Sequence, residues 1–143
     1  MSWSSVLALL LLVGGCSTFN PYVIPPYPEK VVLEQTRGFV EAETFLPDDA
    51  LQIMCGRSPE QIARGDKVIA CNIALPSTPS PIACQGDYSK GKSFIYYREG
   101  VHGIELRWLR FHERAHAYEL HVLGISICES ADHIGWGNRP TPF

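Results

Sequence analysis

Arg110-Phe111-His112-Glu113-Arg114-Ala115-His116-Ala117-Tyr118-Glu119 is the stretch on which the reading of this chain turns. It contains His-Glu-x-x-His, a spacing with a physical meaning on a helix. At ~3.6 residues per turn, His112 and His116 fall ~40° apart around the axis and one turn apart along it, so both imidazoles can close on one ion. Glu113 follows the first histidine and is carried to the edge of the same site, where a carboxylate can take a proton from a metal-activated water. With Trp108 set at zero and ~100° per residue, Phe111, Ala115, Tyr118 and Val122 join it in an apolar stripe ~80° wide. His112 and His116 border this stripe, while Arg110, Arg114, Ala117 and His121 lie on the far side. At the border a ligand is held by packing and still reached by solvent. The pattern therefore marks His112 and His116 as candidate ligands of Zn2+ and Glu113 as the candidate general base. The plainer alternative is an amphipathic helix carrying two exposed histidines.

Working outward toward the C-terminus, Gly124 is expected to end the helix as a C-cap. Ser126 can then start a second, short helix with Glu129 three residues later, and along it Glu129, Asp132 and His133 share one face. If the two helices form a tight antiparallel pair about Gly124, His133 comes nearly level with His116. His121 points ~140° away from His116, and Glu119 shares the ligand face one turn on.

Toward the N-terminus the chain is mixed. Residues 31–35 and 39–44 read as short strands around Thr36-Arg37-Gly38, and residues 48–54 are ambiguous between strand and helix. Ser58-Pro59-Glu60-Gln61 combines an N-cap, a proline at the first helical position and an acidic first turn, so a short helix to Arg64 is expected. Residues 68–75 are β-rich. Residues 82–85 and 93–98 read as two further strands joined through Gly86-Asp87 and Lys90-Gly91-Lys92, after which the chain turns into the motif helix near Ile104. The fold class this implies is α+β: a short mixed or antiparallel sheet followed by the His-Glu-x-x-His helix and a short second helix.

Residues 1–15 carry no charge and hold an apolar run ended by Gly14-Gly15-Cys16. The run is too short for a permanent membrane span and suits a signal peptide. Leu12-Val13-Gly14-Gly15-Cys16 resembles a bacterial lipobox, which implies that Cys16 is lipidated and becomes the first residue, although the n-region has no Lys or Arg. Ser17 resembles residues that permit sorting to the outer membrane. Residues 16–28 contain Pro21, Pro25, Pro26 and Pro28 and suit an extended tether, or else an arm strapped on by Tyr22 and Tyr27. A domain of residues 29–143 then has room for one modest core. The formal charge of −3 gives nothing basic enough for nucleic acid. Cys55, Cys71, Cys84 and Cys128 make an even number in an exported domain and read as two disulfides. Three connectivities are open, and Cys71 and Cys84, which flank a proline-rich turn, could close that excursion.

A strand-rich half leading into a His-Glu-x-x-His helix resembles the zincin metallopeptidases, over roughly residues 93–137. The resemblance implies zinc-dependent peptide-bond hydrolysis, with extended peptide or protein substrate held along an edge strand just before the helix. Cys128-Glu129-Ser130-Ala131-Asp132 resembles the gluzincin ending Glu-x-x-Ala-Asp with the register shifted by one. On that resemblance Glu129 is the expected third ligand, with His133 and Asp132 as alternatives, and Asp132 could otherwise fix the tautomer of a ligand histidine. The metzincin pattern is absent, since Glu119 and Val122 occupy its positions. His102, Tyr97 or His133 could stabilise an oxyanion. The sequence thus leads to a lipid-anchored zinc peptidase of the bacterial cell envelope, on the periplasmic face of the outer membrane. A non-catalytic envelope lipoprotein that uses the helix for structural metal binding or partner contact is the alternative.

Overall fold

The computed structural model describes residues 23–78, 80–82, 84, 86–133 and 136. Within these, five α-helices surround a small three-stranded sheet, an α+β architecture. The order along the chain is α1 (Glu29–Gln35), β1 (Val40–Leu46), α2 (Asp48–Met54), α3 (Pro59–Ala63), β2 (Ala70–Leu75), β3 (Lys92–Arg98), α4 (Gly103–Ala117) and α5 (Ile127–Asp132). A π-helical turn, Tyr118–Leu123, continues α4. The sheet is mixed, in the order β1-β3-β2, with β3 parallel to β1 and antiparallel to β2.

Residues 31–35 form helix α1, not the expected strand. Their β-branched composition is overridden by Pro28 at the N-cap, Glu29 in the first turn and a single deeply buried side chain, Val32. Thr36 ends the helix, its hydroxyl donating to the Val32 carbonyl at 2.7 Å. The ambiguous stretch 48–54 is helix α2, where buried Gln52 clips the backbone of Val68 through both ends of its amide. α3 has the expected cap: Ser58 and Gln61 form a reciprocal capping box with Pro59 at the first position. Of the strand expected at 82–85, residues 82 and 84 belong to none; a lone bridge pairs Thr78 with Asp87. Pro76 and Pro81 supply no N–H to a ladder, which works against continuous pairing at those described positions. Gly91 lets the chain pass close to β2, since a Cβ there would meet the Leu75 carbonyl oxygen at 2.1 Å.

Two hydrophobic clusters meet on α4. On one side Leu109 packs with Ala70, Ile95, Tyr97 and Val101 of the sheet layer. On the other, Phe111 and Ala115 pack with Val32 and Trp136, bordered by Val23, Ile24 and Tyr27. Residues 23–28, assigned to the tether from sequence, therefore include an arm that lies on the domain. The far side of the helix is not a solvent face either. Ala117 and His121 are buried, and Arg110 and Arg114 reach Glu43 of β1 at 2.8 and 2.6 Å. Burial pushes the Glu43 carboxyl up, and the donors from Arg110, Arg114 and Tyr97 outweigh it, holding it below the usual range. Val122, expected on the apolar stripe, is exposed. The π turn changes the angular step beyond Ala117, so a constant ~100° per residue no longer places side chains there.

The disulfides are Cys55–Cys71 and Cys84–Cys128. Of the three connectivities open from sequence this is one that does not close Cys71 on Cys84. Cys71 on β2 is instead joined to the end of α2, and Cys84 anchors α5. No helix among the described residues is long and apolar enough to cross a membrane, and Cys16, with the stretch that resembles a lipobox, lies outside them.

Candidate metal centre

α4 presents His112 and His116 one turn apart, as the spacing demands. Gly124, in the left-handed region at φ 73°, stops the π turn and reverses the chain. Ser126 caps α5 by accepting from the Cys128 N–H. His133 then ends α5 with φ 57°, a left-handed conformation uncommon outside glycine but enriched for histidine. This brings the His133 ring against α4: its Nε2 lies 2.8 Å from Nε2 of His116. One ligand atom from each of His112, His116 and His133 lies within 4.8 Å of the others.

The second nitrogens show which way two of these rings face. His112 Nδ1 lies 2.9 Å from the Val23 carbonyl, which can only accept, so Nδ1 carries the proton and Nε2 keeps its lone pair. His116 Nδ1 lies 3.2 Å from the Ser130 hydroxyl, which in turn donates to the His116 carbonyl. Nε2 of His116 is therefore also left as an acceptor. Two nitrogen lone pairs at 2.8 Å repel unless a proton or a cation lies between them. On a tetrahedral zinc, ligand nitrogens at ~2.0–2.1 Å from the ion stand roughly 3.3 Å apart, a value between the 2.8 Å of the His116–His133 pair and the 4.8 Å that bounds the whole set. The residues present fit a three-histidine site for a metal ion.

Cover over this cluster is uneven, with His112 buried and His116 and His133 half-buried. Trp136, 2% exposed, lies over His116 with ring centroids 4.7 Å apart and meets His112 edge-on at 4.9 Å. Its indole N–H donates to Oε2 of Glu119 at 2.7 Å, and the Tyr27 hydroxyl donates to the same oxygen. Burial holds the basicity of the cluster down: His112 falls to about 4, and His116 and His133 also lie below the ordinary histidine value. The rings are therefore neutral near pH 7, the form that binds metal. Glu113 is 7% exposed, and burial alone pushes it up to about 8.

The other sequence candidates are placed differently. Glu129 and Asp132 are exposed on α5 and outside the converging set, so of the three residues weighed as third ligand only His133 joins the pair. Tyr97 is buried with its hydroxyl on Glu43 at 2.8 Å, and His102 is exposed with Nδ1 on the Gly100 carbonyl. β3, the strand before the helix, is the central strand, so the edge-strand arrangement implied by the zincin resemblance is not present there. Three contributors were not legible: the Val23 carbonyl, Ser130 and Trp136. Only Glu119 carried a signal, through its place on the ligand face one turn beyond His116. Comparison of the chain with family models, with curated proteins and with solved structures finds no match in any of the three.

Proposed function

We propose that this protein is a metal-dependent hydrolase of peptide bonds, with His112, His116 and His133 as zinc ligands and Glu113 as general base. The observation that supports it most is the convergence of three imidazole nitrogens on a His-Glu-x-x-His helix. Three protein ligands leave a coordination position for substrate, as in catalytic zinc sites. A bound zinc ion would supply Lewis-acid polarisation of a substrate carbonyl. The chain itself supplies the rest. Val23 and Ser130 hold the tautomers of His112 and His116. Glu113, next to His112 on the helix, would take a proton from an attacking water and return it to the leaving amine; burial raises its carboxyl to about 8, so the ionised form that this needs would depend on the positive charge of a bound cation. Peptide as substrate follows from the zincin resemblance; with β3 in the middle of the sheet, an extended chain would have to lie along β1 or β2.

One observation favours a structural metal instead: the near-complete burial of His112, Trp136 and Glu119 around the cluster. A peptide library offered to the zinc-loaded protein separates the two readings. Hydrolysis by the parent that falls ~10²–10⁴-fold in Glu113→Gln, with zinc content unchanged, is the outcome expected of the enzyme. No zinc-dependent cleavage by the parent, or equal cleavage by both proteins, removes the catalytic reading.

We further propose that the protein is a lipoprotein anchored through Cys16 on the periplasmic face of the outer membrane. Cys16→Ser is expected to abolish acylation and release the chain from membranes or leave it unprocessed. Unchanged fractionation and migration would reject the anchor.

A further inference from the structure

Glu119 is in an unusual position for a carboxylate. It is 4% exposed, on the π turn directly after the motif helix. Oε2 accepts from two neutral donors, Tyr27 and Trp136, and Oε1 is buried with no hydrogen-bond partner. Among the described residues no lysine or arginine pairs with it. Burying a carboxylate with half its acceptor capacity unmet is costly unless a positive charge answers it. What lies beside Glu119 is the histidine cluster, and its charge is felt at His133. The support of the three rings is uneven in a matching way. His112 and His116 each have Nδ1 engaged, while no acceptor meets the second nitrogen of His133 among the described residues.

We infer that Glu119 is a positioning residue of the metal site, which ties the N-terminal arm and Trp136 over the histidines and supplies the negative charge that a divalent cation in the cluster compensates. The inference rests on the metal-site reading above. Its consequence is coupling: Tyr27 and the Val23 carbonyl belong to the arm, so metal binding and docking of the arm favour each other. The arm enters the domain directly after the proposed tether, so the segment nearest the membrane would also be the one that steadies the metal.

The test is zinc titration of the full chain against a competing chelator, read with thermal melts of the metal-free protein and limited proteolysis of the arm. Glu119→Gln keeps an oxygen that accepts from Tyr27 and Trp136 but removes the charge. It should leave the metal-free melting temperature unchanged or higher, lower zinc affinity ~10–100-fold, and weaken zinc's protection of the arm against protease. A carboxylate that served only as a hydrogen-bond acceptor would be replaced by the amide oxygen, leaving zinc affinity and zinc's protection of the arm at parental levels. That outcome overturns the inference. Tyr27→Phe keeps the charge and drops one donor; it should speed arm cleavage and reduce zinc affinity by a smaller factor. If Glu119→Gln does not fold, parental affinity and parental arm protection in Tyr27→Phe overturn the coupling. A parent that binds no zinc sinks the metal-site reading itself, an outcome distinct from a parent that binds zinc and a Glu119→Gln variant that binds it equally well.

Discussion

His112 and His121 stand on one continuous helical segment, 3% and 4% exposed, both with basicity lowered by burial, and yet their surroundings have opposite character. His121 faces the sheet. Its Nδ1 donates to the Tyr88 carbonyl, its Nε2 accepts from the Ser93 hydroxyl at 2.8 Å, and its ring lies parallel to Phe39 at 4.9 Å. Every polar atom of that ring is answered by the protein. His112 faces the arm and α5, where its Nδ1 is answered by Val23 and its Nε2 side meets two more imidazoles. Burial and a depressed pKa are thus common to a packing histidine and to a candidate ligand. What separates them is convergence: several acceptor nitrogens turned toward one point with no protein donor for each. The same reasoning discounts Ser93 and His121 as a nucleophile and base. Ser93 is fully buried in the central strand, where no substrate can reach its hydroxyl.

The largest expected effect tests that contrast directly. His116→Ala should abolish stoichiometric zinc binding in a chelator-competition assay. His121→Ala should leave zinc stoichiometry intact and destabilise the fold by about 1–3 kcal/mol, through a small cavity and the unmet Tyr88 and Ser93 groups. Equal zinc loss in both variants would break the comparison.

A smaller effect sharpens it. Cys84–Cys128 spans 44 residues and Cys55–Cys71 spans 16, so removing either should cost about 3–4 kcal/mol by loop entropy, the longer one more. Only Cys84–Cys128 is attached to α5, which carries Ser130 and His133. The Cys84→Ser/Cys128→Ser protein should therefore also lose zinc affinity, whereas Cys55→Ser/Cys71→Ser should lose stability alone. Denaturant melts combined with zinc titration distinguish the two, and identical zinc affinities would show that α5 is held by packing without its disulfide.

The smallest effect is a pH dependence in the chelator-treated protein. Glu113 rises from 4.5 to about 8 on folding, so its contribution to stability is complete below about 4.5 and is lost as pH climbs toward 8. His112 falls from 6.5 to about 4, so its contribution is present above 6.5 and is lost as pH drops toward 4. Stability should fall on both sides, and Glu113→Gln should remove the alkaline loss. The stability of the variant relative to the parent should rise by about 3–4 kcal/mol between pH 5 and pH 8. Melting temperatures that stay parallel across that range would mean that Glu113 ionises freely in the fold.

What could be read ahead of the structure was what local geometry controls. The helix carrying His112, Glu113 and His116 follows from its period, α3 from Ser58, Pro59 and Gln61, and the stop at Gly124 from its freedom to take a positive φ. Local preference failed at α1, where a β-branched run became helical because Pro28 and Glu29 favour a helix start and Val32 had a core to fill. It also failed at Val122, since nothing in the sequence announced the π turn.

By itself, then, the sequence determined an α+β domain whose one helix carries two histidines and a glutamate in register, because 3.6 residues per turn leaves no other arrangement of those side chains. Which of Glu129, His133 and Asp132 joined them was a matter of tertiary structure. That choice depended on the reversal at Gly124, the left-handed turn at His133 and the tie of α5 to Cys84. The same holds for the tautomer of His112, set by a carbonyl 89 residues away, and for the cover made by Trp136 and Glu119. Contacts between distant segments are selected by how whole elements pack, and a periodicity within one element carries no information about them.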